Sequence, residues 1–144
     1  MRKVVARSRI VAVAFAIAVA AAGCSFEFVT SPLVSGSQWR VAAVDDESTL
    51  DLELILTIIG DTATLSSRCG ASTGMAAVDA DGRAVSFGAL EGPGGEPICP
   101  PEALELHARV ATAFQGVERW QSLGRDIELR GERVIRLQPQ ATDT

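Results

Sequence analysis

Apolar positions change their spacing along this chain, and each change marks an element. Residues 10–22 (IVAVAFAIAVAAA) are apolar without a break. Residues 38–44 alternate instead, with Trp39, Val41 and Ala43 on one face, the period of a half-buried strand. The strongest alternation is in residues 50–59 (LDLELILTII). Leu50, Leu52, Leu54, Leu56 and Ile58 point one way, and Asp51, Glu53 and Thr57 the other. Gly60-Asp61 then signals a two-residue hairpin, because glycine supplies the positive φ of a primed turn. The partner strand spans residues 62–69, and its phase turns Ala63, Leu65, Ser67 and Cys69 inward. Residues 75–78 and 83–90 make a second hairpin around Asp79-Ala80-Asp81-Gly82. That tetrapeptide lacks the further oxygens and the twelfth-position Glu of a calcium loop, so it reads as a turn. Residues 91–99 (EGPGGEPIC) form a Gly/Pro loop without phosphate-binding spacing.

At Pro100 the spacing becomes helical. Ala103, Leu106, Val110 and Phe114 form one stripe. Pro100-Pro101 suits a first turn, Glu102 complements the positive end of the helix dipole, and Gly116 is a stop signal. His107, the single histidine, flanks the stripe and is expected at its boundary rather than as a ligand. Short strands follow at residues 117–123, 127–130 and 133–137, separated by turns at Gly124-Arg125-Asp126 and Gly131-Glu132. The expected fold class is α+β: a mainly antiparallel sheet curled around a single helix, occupying residues 38–138, with a polar frayed tail at 139–144.

Charge changes the reading of the N-terminus. Of 144 residues, thirteen are basic, and four of these (Arg2, Lys3, Arg7, Arg9) lie in the first nine positions. All eighteen acidic residues lie at Glu27 or later, so the chain beyond the leader has nine basic groups against eighteen acidic ones, a net charge of −9. A basic start followed by thirteen apolar residues is a signal peptide, since a spanning helix needs about 20. The run closes on Ala21-Ala22-Gly23 and then Cys24, which resembles the bacterial lipobox, with Ala21 where Leu is more usual. The resemblance implies removal of residues 1–23 and lipidation of Cys24, with S-linked diacylglycerol and an N-acyl (palmitate-type) chain. Two or three acyl chains anchor stably where one does not. Residues 24–37 (CSFEFVTSPLVSGS) read as a flexible lipidated tether.

Lipidation of Cys24 leaves Cys69 and Cys99, an even pair in an exported chain, where a disulfide is the default. Zinc would need more ligands than two thiols and His107, and no CxxC or HExxH spacing occurs. A reactive thiolate at Cys99, before a helix start, also stays open. Its pairing with His107 would have to bridge about 12 Å of helical rise.

A body this acidic argues against nucleic acid as a partner. GxSxG, SxxK and HExxH are absent, and beyond the leader there is no lysine or tyrosine. The carboxylates fall on outward strand positions or in turns. No catalytic residue, metal or cofactor is expected.

The order of features resembles the META (HslJ-like) domain of bacterial envelope lipoproteins. Its Gly-x-x-Trp start matches Gly36-Ser37-Gln38-Trp39. Its Gly-Cys-Asn corresponds to Arg68-Cys69-Gly70, with both neighbours changed. Its Thr-x-Met-Ala-Cys segment keeps only Cys99, in Pro97-Ile98-Cys99. The likeness runs from Gly36 to Leu137. It implies a small sheet around one helix and nothing catalytic. The function expected is a lipid-anchored, non-catalytic structural or interaction module on the extracytoplasmic side of the cell membrane, monomeric, with a possible protein partner in the envelope. An alternative is an acidic module that captures or inhibits a basic envelope protein, and a second is a small enzyme.

Overall fold

The structure, a computed structural model, describes Leu33 and residues 36–79, 83–94 and 98–140. The leader, Cys24, the 80–82 turn and the last four residues lie outside the described residues.

The described chain is mainly antiparallel sheet with one helix. The strands are β1 (Gln38–Val44), β2 (Glu47–Ser48), β3 (Ile55–Ile59), β4 (Thr62–Ser67), β5 (Gly70–Val78) and β6 (Val85–Phe87). Helix α1 (Pro101–Gln115) is followed by β7 (Val117–Leu123), β8 (Asp126–Gly131) and β9 (Val134–Pro139). The spatial order is β6-β5-β4-β3-β1-β9-β8-β7, with β2 attached to β1 alone. The outermost strands β6 and β7 approach one another: Ala84 bridges Arg119, and the Trp120 amide donates to the Arg83 carbonyl at 2.9 Å. The sheet thus curls almost into a barrel, which removes most of its open edge.

Alternation explains the core. Trp39 and Val41 of β1, Leu56 and Ile58 of β3, Ala63 and Leu65 of β4, Ile127 and Leu129 of β8, and Ile135 and Leu137 of β9 all turn inward and are buried. Helix α1 lies against this concave side. Phe114 is fully buried, and its ring meets Phe87 edge-on at 5.0 Å. Gly60, at φ +60, makes the β3–β4 turn where a side chain would be strained.

Antiparallel pairing gathers the connections at two ends. One end holds the start of β1, the Gly60-Asp61 turn, the Gly124-Arg125 turn and the end of β9. The other holds the Asp45-Asp46 turn, the β4–β5 turn, the β8–β9 turn and the helix-to-β7 junction.

Several expectations are corrected by packing. The strand expected over 50–59 begins only at Ile55. Leu50–Leu52 form a 3-10 turn, and Glu53 takes a left-handed conformation with φ 52°. Leu52 and Leu54 remain buried, but Leu50 is 39% exposed. Alternation of side chains therefore persisted beyond the ladder that would define a strand. In β1 a bulge between Val41 and Ala43 shifts the register and buries Ala42 rather than Ala43. Strand β5 starts at Gly70, five residues before the expected Met75, because β4 pairs along its whole length with it. The strand expected over 83–90 shortens to Val85–Phe87. Helix α1 ends where expected, yet Gly116 has φ −90°, so no left-handed cap is involved. Packing also starts upstream of β1. Leu33 is buried in the core, and the Gly36 amide donates to the Ile58 carbonyl at 2.6 Å, within the stretch read as tether.

Candidate functional site

Two constellations of polar residues meet helix α1, one inside the barrel and one at its surface. The interior one begins with the disulfide. Cys69 and Cys99 are bonded, with Cα atoms 5.1 Å apart across a sequence separation of thirty, which uses both thiols and fastens the helix start to the β4–β5 turn. One turn and a half along the helix, His107 is 0% exposed. This corrects the expectation of a boundary position. The side chain lies among Ala103, Val110 and Ala111 on the inward face of α1.

A buried imidazole needs partners for both nitrogens, and strands β4 and β5 supply them. Ser67 Oγ lies 2.7 Å from Nδ1, and Ser72 Oγ lies 2.9 Å from Nε2. The proton positions follow from the outer ends of this chain. Ser72 Oγ donates to the Gly92 carbonyl at 2.8 Å, so it accepts from Nε2–H. Nδ1 then accepts from the Ser67 hydroxyl, whose oxygen takes the Cys69 amide at 3.0 Å. Every member is satisfied with a neutral ring. Burial pushes the His107 pKa below the usual 6.5 of imidazole, because a charged ring would lose its hydration. The loop carbonyl that ends the chain sits close over β5: a Cβ on Gly92 (φ +116) would stand 2.5 Å from the Ala71 carbonyl oxygen.

A hydroxyl donating to an imidazole is also the opening geometry of a Ser–His nucleophile pair. Here the third group is another neutral hydroxyl rather than a carboxylate, so nothing stabilises an imidazolium. Ser67, Ser72 and His107 line none of three surface clefts formed by the described residues. The arrangement ties helix to sheet.

The surface constellation is a cleft of about 380 Å³ between α1 and the β1–β2 turn. Val44, Leu106, Ala108 and Val110 give it an apolar floor. Asp45, Glu47, Glu105, Arg109 and Arg133 stand around it. Asp45 is fixed: Arg133 donates to Oδ2 at 2.9 Å and the Val134 amide to Oδ1 at 2.9 Å. Asp45 and Asp46 both have positive φ (47° and 66°), which places two carboxylates at the tip of a tight hairpin. Arg109 reaches Glu47 at 3.7 Å. Both arginines are thereby matched, while Glu105 has no cation partner among the described residues. The cleft suits a ligand with an apolar body and a positive group.

No cluster of three metal-ligating side chains occurs among the described residues, and no described helix is long and apolar enough to cross a membrane. Cys24 lies outside the described residues. Reading the sequence missed Ser67 and Ser72 as histidine partners, and it missed the cleft, which is assembled from residues more than fifty positions apart. The phase that turns Ser67 inward with Cys69 was the available signal for the first.

No protein-family model and no curated protein matches the chain. Among solved structures, it is similar to the crystal structure of a DUF4847 family protein from Bacteroides vulgatus ATCC 8482. The TM-score is 0.53 at 15% identity, over 76% of this chain and 96% of that one. A likeness at that identity is one of fold, and it agrees with a β-dominated body carrying one helix.

Proposed function

We propose that this chain is a lipid-anchored extracytoplasmic lipoprotein of META-like type, a non-catalytic module that presents a binding cleft away from its membrane. One juxtaposition carries the reading. The segment bearing Cys24 leads into the end of the barrel where β1 starts, and the cleft at Asp45, Glu47 and Arg133 opens at the opposite end. The Cys69–Cys99 bond supports it, since disulfides persist in oxidising compartments outside the cytoplasm.

The test is intact-mass analysis of the chain purified from bacterial membranes, with detergent partitioning. The expected product starts at Cys24, carries diacylglycerol and an acyl chain, and enters the detergent phase. Cys24→Ser keeps the leader and loses the lipid. Each buried CH₂ contributes about 0.8 kcal/mol to anchoring, so the acylated form partitions without ambiguity. An unmodified wild-type chain overturns the anchor.

A second reading is favoured by the unmatched Glu105, which lines the cleft with Asp45 and Glu47: the cleft captures a basic protein of the envelope. Such capture is salt-dependent. Binding at low salt that disappears at high salt and on Glu105→Lys supports it, and salt-insensitive binding rejects it.

A further inference from the structure

We propose that the rim of the barrel formed by Ile59 and Met75 rests on the bilayer that holds the anchor, at the depth of the lipid headgroups; this rests on the lipid-anchor reading above. Ile59 and Met75 are 66% and 67% exposed, the most exposed large apolar side chains of the sheet. They are neighbours on one face. Ile59 is paired with Thr62, and Thr62 with Met75. With strands 4.7–4.9 Å apart, the two stand about 10 Å from one another across a threonine. Thr57, Thr64 and Thr73 share the outward face of β3, β4 and β5, and the charges that border the pair are Asp61 at the hairpin tip and Glu91, which is paired with Thr73. The outward face of β7, β8 and β9 is different, with Arg119, Glu128, Arg130 and Arg136. Two neighbouring exposed apolar side chains on a threonine-rich surface mark a contact site.

Position chooses the occupant. The chain enters the barrel beside this rim, since the Gly36 amide bonds to the carbonyl of Ile58, the residue before Ile59. Leu33 is already buried in the core. It lies nine positions after Cys24, and nine steps of chain reach at most about 32 Å. A lipidated Cys24 therefore keeps the body close to the bilayer, and the rim is the apolar surface nearest the leash. Asp61, at the tip of the same hairpin, stays in water, which sets the depth at the headgroups.

The experiment uses the full acylated chain, its lipid verified by mass, in vesicles of phosphatidylcholine and phosphatidylglycerol. Apart from Met1, Met75 is the only methionine, and oxidation of its thioether is read by mass. In a Thr112→Met variant, a second methionine on the exposed side of α1 serves as internal reference. The expected result is that water-soluble chloramine-T oxidises Met75 several-fold more slowly than Met at 112 on vesicles, and at a similar rate in detergent. Met75→Trp and Ile59→Trp should be quenched by lipids brominated in their acyl chains, beyond wild type and beyond Thr112→Trp. Acylated protein that floats with the vesicles while Met75 oxidises at the reference rate, and while the new tryptophans are unquenched, overturns the rim and leaves the anchor standing. A chain without lipid overturns the anchor and the rim with it. Protection of Met75 without vesicles, accompanied by a dimer mass, gives the rim to a second copy and overturns the proposal.

Discussion

The two halves of helix α1 are held to one concave face by different physics. The first half is held covalently and by directed polar bonds: Cys99 is bonded to Cys69 just before the helix, and His107 sits between Ser67 and Ser72. The second half is held by apolar contact, with Val110, Ala111 and Phe114 buried and Phe114 against Phe87. Apolar contact scales with area and tolerates small shifts. A buried polar chain depends on every member, since losing one strands the next. The comparison teaches that one helix face can be specified twice, once by volume and once by direction.

Breaking the apolar half should have the largest effect. Phe114→Ala should destabilise by about 3–5 kcal/mol in chemical denaturation, as expected for a buried aromatic. A change below about 1 kcal/mol would show that the second half of the helix is peripheral. The covalent tie comes next. Replacing Cys69 and Cys99 by Ala should cost about 3–4 kcal/mol, because a closed loop of this length limits the unfolded chain. Peptide mapping without reductant should find the linkage, and reduction should lower the Tm. Phe114→Ala should leave the linkage intact, which separates the two halves.

The polar tie is smaller and carries a pH signature. Ser72→Ala leaves the Nε2–H of His107 without an acceptor in the interior and should cost about 1–3 kcal/mol. The sign of the pH effect follows from the lowered pKa of His107. Below the usual imidazole value of about 6.5 the unfolded chain takes up a proton that the folded chain refuses. Stability is therefore full above that pH and declines as pH falls toward the folded value. His107→Leu should remove this part of the pH dependence in urea titrations, while the Phe114→Ala curve keeps it. Identical slopes in wild type and His107→Leu between pH 7 and 5 would refute the neutral buried ring.

Legibility in the sequence divides along the same line. Volume was legible: the period-two stretches placed Trp39, Val41, Leu56 and Leu65 in the core, and the 3.6 period placed Ala103, Val110 and Phe114. The inward phase of Cys69 was legible too. Direction was not. His107 at the edge of a stripe gives no sign of two serines more than thirty residues upstream, because periodicity counts apolar residues and is silent about partners across the fold. The 3-10 turn at Leu50–Leu52 escaped for a related reason. Its side chains keep the alternating order of a strand while Glu53 reverses the backbone. The bulge in β1 shifts one residue of register, which no apolar pattern encodes.

The smallest expected effect is on the outer side of the same helix, and it tests whether direction matters when water is present. Arg109 reaches across to Glu47 at 3.7 Å, and both side chains are more than half exposed. This pair links α1 to β2 as His107 links it to β4 and β5, but its members give up little hydration. An exposed pair gains modest Coulomb energy, orders two long side chains and is screened by salt, so its net worth is about 0–1 kcal/mol. Arg109→Ala should therefore change stability by less than about 1 kcal/mol. A double-mutant cycle with Glu47→Gln should give a coupling that shrinks between low and high salt. The polar chain inside should not respond to salt, because its members are neutral. A coupling above about 2 kcal/mol between Arg109 and Glu47, or one indifferent to salt, would mean that the cleft wall is as firmly directed as the interior, and the contrast between the two sides of the helix would fall.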